Sequence, residues 1–199
     1  MRVIAGKYRS RRLQTLHGMA LRPSSDRLRE TLFNILGEAV DGALFVDLFA
    51  GSGAVGIEAL SRGAHACIFV ENHAAGAALI SRNLASLEIA TASNVASLKT
   101  FGGAAEVLRI NALDALKGLS DRGARADFIF ADPPYANAQA HEDILAFLGK
   151  SEMLGRSGRL IIEHRKAKPL LKVAGQLERT RIVEQGDTAL SFYSCVIAA

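Results

Sequence analysis

The chain has 199 residues, 49% hydrophobic and 22% charged, which suits one globular domain with a real core and a small appendage. No apolar run reaches membrane-span length, the start Met1-Arg2-Val3-Ile4-Ala5-Gly6-Lys7 lacks a signal-peptide core, and Cys67 and Cys195 read as buried thiols of a reducing cytoplasm, with no metal-ligand spacing. Net charge is +4 but uneven: residues 1–29 carry eight bases and one acid, the rest sixteen bases and nineteen acids. A basic, arginine-dominated arm on a mildly acidic body is a footprint for phosphates, so a nucleic acid is the expected partner.

Arg2 to Ala5 and Arg12 to Leu16 are short extended segments around a basic turn at Gly6, which predicts a small amino-terminal β-hairpin. Arg22-Pro23 ends it, and Ser24, Ser25 and Asp26 are N-cap candidates for a helix. That helix places Leu28, Leu32, Ile35, Leu36 and Ala39 on one face and closes at Asp41-Gly42. Strands are expected at Leu44 to Phe49, Ala66 to Glu71, Val107 to Ile110, Asp127 to Ala131 and Arg159 to Glu163. Helices are expected at Ala54 to Arg62, His73 to Leu87 and around Glu142 to Leu148. Ile89 to Ala105, rich in Ala, Ser, Thr and Gly, reads as a mobile insertion. Leu177 to Glu184 and Leu190 to Ile197, joined at Gly186-Asp187, form an antiparallel hairpin at the sheet edge. The expected fold is α/β: a mostly parallel seven-stranded sheet with an antiparallel C-terminal hairpin, residues 1–24 forming a basic arm and residues 25–199 the main domain.

Asp47-Leu48-Phe49-Ala50-Gly51-Ser52-Gly53 lies where the first strand turns into a helix. Glycines there permit close backbone approach, and the helix start offers free N–H groups. Gly51, Gly53 and Gly56 spell G-x-G-x-x-G, and Glu71 closes the second strand 20 residues later, so an NAD-dependent oxidoreductase is an alternative. Asp47 weighs against it. An acid there crowds a pyrophosphate but suits a cationic zwitterion such as S-adenosylmethionine. Asn111, after the third strand, has an amide that suits an adenine edge, although a strand-end turn residue is an equal reading.

Asp132-Pro133-Pro134-Tyr135 follows a buried strand and must leave the sheet, since two prolines cannot continue a ladder. An acid, rigid carbonyls and an aromatic ring at a strand's carboxyl end suit the grip of a base by its exocyclic amine. That predicts direct methyl transfer to a nucleic-acid base, without a metal or a covalent cysteine. The five histidines are scattered and read as solvated or structural. Glu163 and His164 end a strand near the pocket without a specific role.

The glycine segment and Asp132 to Tyr135 resemble motifs I and IV of class I amino-methyltransferases. Arg22-Pro23-Ser24-Ser25-Asp26-Arg27-Leu28-Arg29-Glu30-Thr31-Leu32-Phe33-Asn34, with Ile4-Ala5-Gly6, is similar to the bacterial methyltransferase D family of small-subunit ribosomal RNA. The resemblance covers nearly the whole chain. It implies a Rossmann-like class I methyltransferase fold, S-adenosylmethionine as methyl donor, and N2 methylation of one guanine in 16S rRNA (position 966 in rRNA numbering) within an assembled or assembling small subunit. It implies that Asp47, Gly51 and Gly53 contact the donor and Glu71 its ribose, and that Asp132, Pro133, Pro134 and Tyr135 hold the guanine amine; Phe49, Ala50 and Ser52 of the same loop, and Asn111 by its amide chemistry, are further expected donor contacts. Arg27, Glu30 and Asn34 would border the donor pocket. Lys7, Arg9, Arg11, Arg12, Arg22 and Arg27 are the expected RNA contacts. The stretch from Ile89 to Ala105 departs from the family pattern. Other readings are an adenine-N6 or other amino-methyltransferase on DNA, RNA or protein, and a non-catalytic RNA-binding assembly factor.

Overall fold

The computed structural model describes residues 1–15, 23–95, 103–134 and 139–196, with the side chains of residues 23–25 and 156 left aside. Tyr135, Arg22, His17 and the ends of both expected hairpins at Leu16 and Ile197 lie outside the described residues. Along the chain run α1 (Pro23–Leu36), a 3-10 turn (Gly37–Val40), β1 (Leu44–Asp47), α2 (Ala54–Ser61), β2 (Ala66–Val70) and α3 (Ala74–Ser86). They are followed by β3 (Ala90–Thr91), β4 (Ala104–Leu108), α4 (Ala112–Asp121), β5 (Ala126–Ala131), α5 (Gln139–Leu148) and β6 (Leu154–Arg165). The chain ends with β7 (Val173–Ala174), β8 (Leu177–Gln185) and β9 (Thr188–Cys195). No helix among the described residues is long and apolar enough to cross a membrane.

Among the described residues, one sheet takes all nine strands in the order β3-β4-β2-β1-β5-β6-β9-β8-β7. β3, β4, β2, β1, β5 and β6 pair in parallel, while β9, β8 and β7 join antiparallel. The seven expected strands are present, and two-residue strands are added at both edges. The strand order reverses between β1 and β5, where open α/β sheets leave a crevice at the strands' carboxyl ends.

Alternation along the strands separates two apolar layers. Phe45, Phe128, Phe130 and Phe192 face α1, α2 and α3, whereas Val46, Ile129, Leu160 and Tyr193 share the layer with α4 and α5. The ring of Phe45 lies 6.0 Å from Phe33 of α1 and 6.1 Å from Phe128 of β5. Each such aromatic pair adds about 0.5–1.5 kcal/mol beyond its buried area.

Several expectations are corrected. α1 starts at Pro23, so Ser24, Ser25 and Asp26 lie in its first turn rather than at a cap; proline's fixed φ and missing N–H suit a first helical position. Gly37, at φ 58, breaks the helical phase. Val40 is therefore buried and Ala39 exposed. Within the expected insertion, β3 pairs with β4, and β4 begins at Ala104 rather than Val107. β6 starts earlier than Arg159 because a register shift between Ala126 and Phe128 lets Gly155 to Gly158 bulge out of the ladder. Cys67 is buried, but Cys195 is only half-buried.

The amino-terminal segment is a short hairpin: Arg2 and Arg12 form an antiparallel bridge, Val3 N–H donates to the Arg11 carbonyl and Leu13 N–H to the Met1 carbonyl, both at 3.0 Å. Core side chains take further backbone groups of the same segment. The buried Glu58 carboxylate accepts Ile4 N–H at 2.8 Å and Ala5 N–H at 3.0 Å. Asn83 of α3 accepts from Gln14 N–H at 2.8 Å and donates back to its carbonyl at 3.2 Å. Gly6 sits against α2, where an added Cβ would lie 1.8 Å from the Ser61 carbonyl oxygen. Val3 and Leu13 join the main core, and the expected boundary between residues 24 and 25 falls inside α1.

Candidate active site

A cleft of about 1070 Å³ opens at the carboxyl ends of β1 and β5. Phe49, Ala50, Gly51 and Ser52 form one wall of it, Glu71 and Asn111 another, and Asp132, Pro133 and Pro134 a third. Asp47 lies at its base. The structure thus gathers residues separated by more than 80 positions, because β1 and β5 are parallel neighbours with Asp47 opposite Phe130.

The glycine loop is built by local hydrogen bonds. Gly51 and Gly53 take φ values of 54° and 79°, the left-handed region that glycine enters without strain. Gly53 N–H donates to the Ala50 carbonyl at 2.7 Å, and Gly53 caps α2. It is absent from the cleft lining, so Gly53 shapes the loop while Gly51 and Ser52 face the cavity. Gly56 serves packing: a Cβ there would meet the Phe69 ring at 2.3 Å, so glycine lets α2 lie close on β2. Glu71 ties the loop to β2, accepting Gly51 N–H at 2.9 Å and His73 N–H at 2.8 Å.

Asp47 is 2% exposed and accepts Gly56 N–H at 3.1 Å. Burial raises its carboxyl to about 7; the charges of Asp132 and Glu71 push the same way, against the hydrogen bonds from Gly56 and Phe49. Asp47, Glu71 and Asp132 give the cavity an acidic character. That disfavours a pyrophosphate and favours a cation. The antiparallel β9 beside β6 also departs from the 3-2-1-4-5-6 order of dinucleotide-binding sheets.

Asn111 caps α4, a helix missing from the sequence reading. Its side-chain oxygen accepts Asp114 N–H at 2.9 Å, and its amide donates to the Asp114 carboxylate at 2.5 Å. The turn-residue reading is therefore realised, and Asn111 still lines the cleft beside Ile110, which is 39% exposed. An exposed apolar side chain next to polar cap groups suits a planar ring.

The fourth wall comes from α1 and β9; sequence reasoning put α1 there through other residues and did not assign β9. Leu28, Arg29 and Leu32 line the cleft, whereas Arg27, Glu30 and Asn34 are exposed and absent from the lining. The 3.6-residue period decides this: one helix face serves both as core and as wall. Arg29 is 4% exposed; its Nη2 donates to the Arg2 carbonyl at 2.6 Å and to Asp26 at 3.2 Å. Its Nε lies 3.8 Å from Glu58 without a hydrogen-bond partner. Desolvation lowers the Arg29 pKa, against the attraction of Asp26 and Glu58. Thr188 and Leu190 of β9 and Glu163 of β6 complete the wall. The β9 residues became assignable only once the hairpin register was fixed.

Lys7, Arg9, Arg11 and Arg12 surround the Gly6 turn, are exposed, and lie off the cleft. Arg11 Nη2 donates to the Ser86 carbonyl at the end of α3, at 2.9 Å. His141 and His164 are buried within hydrogen-bond networks.

Residues 1–194 match the family model described as "Conserved hypothetical protein 95". The Bacillus subtilis protein YlbH is 35% identical over 193 residues, covering 97% of this chain and 98% of its own. Ribosomal RNA small subunit methyltransferase D of Haemophilus influenzae is 34% identical over 171 residues, covering 86% and 82%. The solved structure of Escherichia coli yhhF superposes with a TM-score of 0.76 at 30% identity, covering 98% and 97%. With the parallel sheet, the glycine loop after β1 and Asp132-Pro133-Pro134 after β5 in one cleft, the chain belongs to the ribosomal RNA small subunit methyltransferase D family, on a Rossmann-like class I methyltransferase fold.

Proposed function

We propose that this enzyme methylates the exocyclic N2 amine of one guanine in 16S rRNA, of the position-966 type, with S-adenosylmethionine as donor. One observation carries the reading: the acidic glycine-loop pocket and the Asp132-Pro133-Pro134 segment open into the same cleft at the strand-order reversal. Asp47 and Glu71 suit the positive groups and ribose of the donor, and Phe49 to Ser52, with Asn111, border the rest. When bound, the donor supplies a methyl group on a sulfonium. The protein's part is positioning.

A base amine is a poor nucleophile because its lone pair is delocalised into the ring. Asp132 accepts one amine hydrogen and the Pro133 carbonyl the other, which favours a tetrahedral nitrogen aimed at the methyl. Tyr135 stacks on the base, a contact worth about 1–3 kcal/mol. Catalysis arises from orientation and from exclusion of water, not from a strong base. Lys7, Arg9, Arg11, Arg12, Arg22 and Arg27 hold rRNA phosphates of the assembled or assembling small subunit, and the enzyme works in the cytoplasm.

The test is nucleotide mapping of 16S rRNA from cells that lack this protein. Loss of a single N2-methylguanosine, restored by the wild-type chain, is expected. An unchanged modification pattern would overturn the reading.

A further inference from the structure

We propose that Glu163 selects guanine by accepting its ring N1–H beside the amine held by Asp132. The proposal rests on the N2-methylation reading and adds its specificity element. β5 and β6 are parallel neighbours, and Ala131 pairs with Ile162. The next residues, Asp132 just past the end of β5 and Glu163 within β6, therefore lie side by side, at a strand spacing of roughly 4.8 Å. Both line the cleft. Glu163 pairs with Leu190, which faces the α1 layer. Leu28, Leu32, Phe130 and Leu190 line the same cleft.

The chemistry is selective. Ionised carboxylates accept hydrogen bonds and cannot donate them. Two of them in a row need two adjacent N–H donors on the ligand. Guanine offers N1–H next to its N2 amine. Adenine and cytosine place their amine next to a bare ring nitrogen, whose lone pair would face a carboxylate. Uracil has no amine. The acceptor pair thus fits one base of the four, which Asp132 alone does not achieve.

The backbone around Glu163 is held on the opposite face. Its carbonyl accepts from His141 Nε2 at 3.2 Å. His164, 1% exposed, accepts at Nε2 from the Ser191 hydroxyl at 2.8 Å and donates from Nδ1 to the Arg165 and Lys168 carbonyls at 3.0 and 3.1 Å. Desolvation lowers the His164 pKa and keeps this tautomer neutral. A specificity group needs such locked support.

The experiment uses small subunits reconstituted with 16S rRNA carrying either guanine or 2-aminopurine at the target position. 2-Aminopurine keeps the amine on the same carbon and lacks N1–H. The wild-type chain is expected to favour guanine by about 100-fold or more in kcat/KM. Glu163→Gln, whose amide donates to a bare N1, is expected to shrink that preference to within about tenfold, mainly through loss on guanine. Its donor affinity, read by calorimetry, should match wild type and report a folded site. Equal wild-type rates on the two bases overturn the assignment whatever the variant does. Full guanine preference in a folded Glu163→Gln overturns it while leaving N2 methylation intact. A wild-type chain that methylates neither substrate refutes the N2-methylation reading, and the Glu163 assignment falls with it.

Discussion

At the scale of single residues, the proposed function divides the work between Asp47 and Asp132. Asp47 is held near pH 7 by burial first, then by its acidic neighbours. Its folded pKa lies above the unfolded value, so the stability it contributes is complete below about pH 4 and lost as pH rises through about 7. Asp47→Asn keeps an oxygen for Gly56 N–H and removes that cost. Its melting temperature should exceed wild type above pH 7, by the equivalent of a few kcal/mol at most, and the advantage should fade toward pH 4. Donor affinity runs the other way. It should fall in the wild type as pH drops through 7 and stay weak and flat in Asp47→Asn, a contrast that calorimetry across the range would read directly. Asp132→Ala should lower methyl transfer by about a thousandfold or more. Donor binding should persist. Retained turnover would remove Asp132 from the reaction.

Among the elements, the docking of residues 1–15 onto α2 and α3 is the least expected feature. Glu58 is 0% exposed and holds Ile4, Ala5 and Arg62, the last at 2.8 Å. Glu58→Ala would strand two N–H groups and remove a carboxylate from beside the buried Arg29 and from Arg62, and should cost about 3–5 kcal/mol. Trypsin should then cleave after Lys7, Arg9 and Arg12 well before the core is cut; equal protection in wild type and variant would dispose of the docking argument. None of this was legible in the sequence. Glu58 lies in an apolar helix, and nothing in its local pattern shows which distant amides it will meet. α4 was passed over for a similar reason: its Asn111 cap was read as either an adenine contact or a turn residue, and a cap and a turn use the same chemistry. By contrast, the strands ending at Asp47 and Ala131 were readable, because apolar runs met hard punctuation in glycine and proline. The glycine loop and the Asp132-Pro133-Pro134 segment could therefore be placed at their strand ends. Which residues of α1 and β9 form the fourth wall depends on tertiary packing and could not be read.

For the whole molecule, charge and shape set how a large substrate lies. The basic turn packs at the Ser61 end of α2, while the glycine loop is at the Gly53 end. Eight helical residues separate them by about 12 Å. Phosphates bound at the turn therefore engage RNA across the molecular face and not only at the cleft rim. Replacing Arg9 and Arg12 with Glu should weaken RNA binding and reduce the slope of log affinity against log salt by about 0.7–0.9 for each phosphate no longer neutralised. Arg11 is less suited to this test, since it also braces the end of α3. An unchanged salt slope would mean that the turn does not touch the backbone of the RNA.

The docking of the first fifteen residues also carries a temporal consequence. Their partners lie 53 to 75 positions downstream, at Glu58, Ser61, Asn83 and Ser86. A growing chain must wait until the third helix has emerged before this segment can settle. The segment is thus made well before the groups that hold it, and until they appear its arginines trail unanchored.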